Sequence, residues 1–196
     1  MVSSKNEYSM SFTAASLLPA ESFAIAGVYV ELQDWEQTKK QALQENLIQK
    51  RSYSSIKRQV LELIKRLKNL SSTQIEQLLT GNDHEQKLIL WLAICKTYPF
   101  LREFAQEILN EHYHGFNNRI NAADVRAFFD AKAVTFPKLQ ELSIETQKKV
   151  ISETMTLLRQ AELISAKNEI IPLFMTASLE ACLSEEDEEY RRIYPC

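Results

Sequence analysis

Between Ser143 and Ala161 the apolar residues recur at helical spacing and polar residues fill the opposite side. At about 100° per residue, Val150, Ile151, Thr154, Leu157, Leu158 and Ala161 share one face, and Glu145, Lys148, Lys149, Ser152, Thr156 and Arg159 share the other. The spacing predicts an amphipathic helix from Ile144 to about Ala161, with Ser143 as its N-cap.

The flanking residues give this helix a context. Asn121 can cap a helix from Ala122 to Ala133 that turns Val125, Phe128 and Phe129 inward, and Pro137 can open a one-turn helix ending near Leu142. Downstream, Leu163-Ile164-Ser165 and Glu169-Ile170-Ile171 flank Ala166-Lys167-Asn168, which reads as a small β-hairpin. Pro172 confines the second strand to an edge or a stop. Three helices and then a hairpin is the order of a winged helix-turn-helix. On that reading the helix from Ile144 enters a major groove. Lys148, Lys149 and Arg159 would meet phosphates or guanine, Ser152 would supply a hydrogen bond, and Lys167 at the hairpin tip would reach a neighbouring phosphate. The same face also suits a helix whose outer side is simply solvated, because many helical proteins contain such a triplet.

The rest of the chain also reads as helical. With 3 Gly and 5 Pro among 196 residues, long helices with short connections are favoured. Pro19 opens a helix to about Leu32, and Asp34 caps another from Trp35 to Glu45. Ser54 or Ser55 starts a third, to about Asn69, with Ile56, Val60, Leu63, Ile64 and Leu67 along its core stripe. Ser71 with Gln74, and Asp83 with Gln86, have the spacing of capping boxes. The apolar run Leu88 to Cys95 reads as a helix buried on most sides, broken at Tyr98-Pro99 and followed by a helix from Phe100 to about His114. The short polar segment Gly115 to Asn121 is the best boundary. It divides residues 1–118, a helical bundle with a basic helix, from residues 119–183, the winged helix-turn-helix. Ser178 to Leu183 closes the second unit as a small helix, and residues 184–196 form an acidic tail of the solvated kind. At the other end, Tyr8, Met10 and Phe12 alternate, as in an extended segment anchored by its aromatics.

Charge limits the function. The formal net charge is −3, so affinity for nucleic acid must come from local patches. One such patch lies between Gln37 and Leu70, where nine Lys or Arg stand against Glu45 and Glu62. Lys57, Arg58, Lys65 and Arg66 are its candidates for tracking phosphates, and a solvated face paired with acidic neighbours is the alternative. Three scattered Cys (95, 182 and 196), no secretion signal and no apolar run long enough to span a bilayer predict a cytoplasmic protein without membrane contact. No phosphate-binding, dinucleotide-binding or nucleophile-elbow glycine motif occurs. His112 and His114 do not have metal-ligand spacing, and the acidic residues are dispersed. The expectation is a non-enzymatic protein with no cofactor and no metal.

Taken together, several short motifs resemble the BrxA family, encoded with the BREX (bacteriophage exclusion) systems of bacteria. They begin with Tyr8-Ser9-Met10-Ser11-Phe12, Leu17-Leu18 and Glu21-Ser22, then Asp34-Trp35, Glu45-Asn46 and Gln49-Lys50-Arg51. Ser54-Ser55, Lys57-Arg58, Arg66-Leu67, Gln86-Lys87 and Cys95-Lys96-Thr97-Tyr98 follow, and Leu142-Ser143, Thr146 and Lys148-Lys149 complete the set. None is a catalytic signature, and it is their order and spacing that carry the likeness. The resemblance implies a helical first domain similar to the RNA-binding NusB fold and a winged-helix second domain. It also implies binding to double-stranded DNA within a phage-defence complex, without enzymatic activity. Two other functions stay open: a structural adaptor that binds other BREX proteins, and an RNA-binding protein.

Overall fold

The computed structural model describes residues 8–115, 117–183 and 185–196. Several of its helices start where side chains can satisfy the first free backbone N–H groups. Helix α1 (Pro19–Leu32) begins on its proline. Helix α2 (Trp35–Gln44) is capped by Asp34, whose carboxylate accepts from the backbone N–H groups of Glu36 and Gln37 at 2.7 and 2.9 Å. Those two bonds, led by Gln37, hold the Asp34 carboxyl below the usual range. Helix α3 (Tyr53–Leu67) buries the predicted stripe. Ser71 and Gln74 form a capping box at the head of α4 (Ser72–Thr80). The box at α5 (Asp83–Thr97) is made by Asn82 and Glu85, one residue before the expected pair.

Helix α5 is the centre of the molecule. Every residue from Leu88 to Cys95 is buried, as its unbroken apolar run requires. Helix α6 spans 99–114, two α-helical pieces, Pro99–Phe104 and Asn110–His114, around a π-helical turn, Ala105–Leu109. Phe100 and Phe104 from α6 pack edge-on against Phe128 of α7 (Ala122–Thr135), at centroid distances of 5.2 and 5.4 Å. Among the described residues one apolar core therefore runs across the segment from Gly115 to Asn121 without a break. A 3-10 turn, Pro137–Leu139, leads to α8 (Ile144–Gln160), and α9 (Ala177–Cys182) follows.

Two expectations need correction. The β-hairpin is not built as two strands: no strand is found among the described residues, and the arms meet only at an isolated antiparallel bridge, Ile164 with Ile170, beside a second bridge, Arg119 with Glu169. The arms are three residues long. Glu162 at φ 59° turns the chain just before the first, and Pro172, which has no N–H, ends the second. Two bonds join the arms and a third ties them to the segment before α7. Ser165 N–H donates to Glu169 O at 2.8 Å, Ile171 N–H to Leu163 O at 3.0 Å, and Ile170 N–H to Asn118 O at 2.7 Å. Asn168 takes the left-handed conformation at its corner, φ 65°.

The second correction concerns the end of the chain. Beyond Leu183 it enters a 3-10 helix, Glu185–Ile193, and Tyr190, Ile193, Tyr194 and Pro195 are buried. Tyr194 Oη donates to Leu88 O at 2.9 Å, Trp91 Nε1 donates to Ile193 O at 3.2 Å, and Leu173 N–H donates to Pro195 O at 2.8 Å. Aromatic and aliphatic side chains at positions 190, 193 and 194 bury more apolar surface against α5 than a solvated tail could.

Candidate nucleic-acid interface

Helix α8 is oriented by its apolar face. Val150, Ile151, Thr154, Met155, Leu157 and Leu158 are buried, and Ser143 caps the helix by accepting from Thr146 N–H at 3.2 Å. The opposite side is left to solvent, and Lys148, Lys149, Ser152 and Arg159 are exposed there. Lys148, Ser152, Thr156 and Arg159 line one open groove of about 340 Å³, with Ala122 at its edge and Ile151 and Met155 on its floor. Arg159 donates to Asn168 Oδ1 at 2.7 Å, which ties the groove to the turn that carries exposed Lys167. Five predicted residues thus lie on α8 and the turn joined to it. Among the described residues neither Lys148 nor Lys167 has an ion-pair partner. Glu153, half-buried one turn from Lys149, is held above the usual carboxylate range by burial, against the pull of Lys149 and Arg66.

The basic block on α3 divides in two. Lys57 and Arg58 are exposed, with no ion-pair partner among the described residues. Lys65 Nζ donates to Ser11 Oγ at 3.1 Å and lies 4.6 Å from the centre of the Tyr98 ring. Arg66 is only 3% exposed. Its Nε donates to Glu62 at 2.8 Å, and its two terminal nitrogens donate to Ser16 O and Ala15 O, each at 2.6 Å. Tyr98 donates to the same Glu62 oxygen. Arg66 is therefore an internal clamp on the segment before α1 and leaves the expected phosphate set. A signal for this was present: Glu62 is the one acidic residue of α3 and stands four residues before Arg66.

The clamped segment connects both cationic helices. Phe12 is fully buried against Tyr98 and Phe100, and Leu17 N–H donates to Gln160 Oε1 on α8 at 2.9 Å. Beyond the end of α8, Glu162 accepts from Lys87 at 2.7 Å and lies 2.6 Å from His84 Nδ1, both on α5. Lys87 first and His84 second keep the Glu162 carboxyl below its ordinary range. His112, weighed above as a metal ligand, instead has Nδ1 2.8 Å from the carbonyl of Arg119.

This geometry defines a mainly helical protein that presents cationic helix faces on a single core. Among the described residues no helix is long and apolar enough to cross a membrane. The family model BrxA matches residues 6–187, and the chain belongs to the BrxA family. No curated protein matches it. Its fold is similar to the crystal structure of an uncharacterized protein from Magnetospirillum magneticum, at 19% sequence identity and a TM-score of 0.84. That alignment covers 96% of this chain and 99% of the other.

Proposed function

We propose that this chain is a DNA-binding, non-catalytic component of a BREX phage-defence system. The observation that carries the proposal is the groove on α8, where Lys148, Ser152 and Arg159 meet beside the turn bearing Lys167. Helices α7 and α8, the intervening 3-10 turn and the 163–171 turn follow the order of a winged helix-turn-helix. On this reading α8 lies in the major groove, and the turn, although it lacks strands, serves as a short wing. The bundle before it is the NusB-like part. Binding is mainly to phosphates through Lys148, Lys149, Arg159 and Lys167, with Lys57 and Arg58 as a separate second patch.

Fluorescence anisotropy with a duplex of random sequence, across a salt series, tests this. Binding that weakens steeply with salt supports it, and no binding at low salt sinks it. Adding structured RNA as competitor separates the RNA reading, which predicts that RNA displaces the duplex.

A structural adaptor for other BREX proteins is the second reading, and a specific observation favours it. Tyr53 and Leu61 are 63% and 44% exposed among the cations of α3, and Phe174 is 88% exposed. Phosphates offer such side chains nothing, whereas a protein partner can bury them. Purification of tagged protein from cells expressing the whole system, with nuclease treatment, tests the adaptor: a stoichiometric partner supports it, and recovery of this chain alone counts against it.

A further inference from the structure

The groove on α8 is polar at its rim and apolar at its floor. Ile151 and Met155 line it from below, nearly buried at 9% and 4% exposed, between Lys148 and Arg159 in the sequence. Thr156 lines the same groove, and its hydroxyl hydrogen is already used: Oγ1 donates back to Ser152 O at 3.0 Å. Thr156 therefore has no hydrogen to donate to a base and can offer its methyl group or accept at Oγ1. Ser152 is the converse, since its exposed hydroxyl has no hydrogen-bond partner among the described residues. A patch needed only for phosphates gains nothing from three apolar groups at its centre. In a major groove one base alone shows an apolar substituent, the C5-methyl of thymine, next to the O4 acceptor.

We infer that this groove reads thymine: Ile151, Met155 and the Thr156 methyl seat the C5-methyl, and the Ser152 hydroxyl donates to O4. The inference rests on the DNA-binding reading and adds a sequence preference to it. Selectivity for thymine-containing steps then comes from contact with a single methyl, on top of phosphate contacts that ignore sequence.

The test uses the full chain and two duplexes of identical sequence, one with thymine and one with deoxyuridine throughout, so that they differ only in the methyl groups. The expected result is that the deoxyuridine duplex binds about fourfold more weakly for each methyl seated, the value of roughly one buried carbon. Thr156→Ser keeps the hydroxyl and removes the side-chain methyl. It should shrink the difference by weakening the thymine duplex alone. Salt-dependent binding that is equal on the two duplexes overturns the thymine inference and leaves DNA binding standing. A thymine preference that Thr156→Ser does not alter assigns it to duplex shape and also overturns the inference. Absence of binding to either duplex removes the DNA-binding reading, and the inference with it.

Discussion

Helices α3 and α8 carry similar numbers of cations on similar amphipathic frames, yet the structure uses them in opposite ways. On α8 the predicted cations stay outside, and four polar residues of that face share a groove. On α3 the cations divide: Lys57 and Arg58 face solvent without an ion-pair partner among the described residues, Lys65 is exposed but leans on Tyr98, and Arg66 is buried on Glu62 and two carbonyls. The difference lies in what each helix packs against. The segment 8–18 covers the last turns of α3 and offers two backbone carbonyls that require donors. Arg66, with a planar fork of donors, can supply both while keeping one for Glu62. A run of like charge is thus one surface on α8 and two different devices on α3.

The sharpest way to break this contrast is Arg66→Ala. It leaves Glu62 buried without its cation and two carbonyls without donors, and stability should fall by about 3–5 kcal/mol. Lys57→Ala on the same helix should change stability by no more than about 0.5 kcal/mol. Urea unfolding of the two variants side by side checks both, and equal effects would dissolve the distinction. Tyr194→Ala, in the segment read from sequence as tail, should cost about 3–5 kcal/mol, as other buried aromatics do. A change below about 1 kcal/mol in the same unfolding series would restore the tail.

A smaller effect is expected where α8 is braced to α5. Glu162→Gln removes the carboxylate that joins Lys87 to His84 at a half-exposed position and leaves Lys87 paired with Asp83, so stability at neutral pH should fall by about 0.5–1 kcal/mol. The Glu162 carboxyl titrates below its ordinary value, chiefly because Lys87 donates to it. Its contribution is then complete above the unfolded carboxylate value of about 4.3, and it disappears as the pH falls through the lowered folded value. Unfolding of wild type and variant from neutral to acid pH should converge on the acid side. A gap that widens with acid would refute the assignment.

Much of the fold was legible because its signals are local. Ser143, Asp34 and the Ser71–Gln74 pair each needed only three residues of context, and the stripes of α3 and α8 show in their own spacing. What escaped depends on distant partners. The role of Arg66 is set by Ala15 and Ser16, some fifty residues away. The outer edge of 163–171 is paired by Asn118 and Ile120, some fifty residues away, which the local sequence does not reveal. In the last segment the acidic run masked Tyr190, Ile193 and Tyr194, whose 3–4 spacing is that of a buried face. For the candidate interface, the outer face of α8 followed from periodicity alone, whereas the apolar floor of its groove required the structure.

The most direct test of the account is anisotropy of a duplex across a salt series, with Lys148→Ala/Lys149→Ala beside Lys57→Ala/Arg58→Ala. All of these side chains are exposed, so neither pair should move stability by more than about 0.5 kcal/mol. The account predicts that the α8 pair lowers the slope of log affinity against log salt by about two, close to one for each phosphate left without its lysine, and that the α3 pair lowers it less. Salt-dependent binding that survives the α8 substitutions and falls with the α3 substitutions would contradict it and move the DNA to the first half of α3.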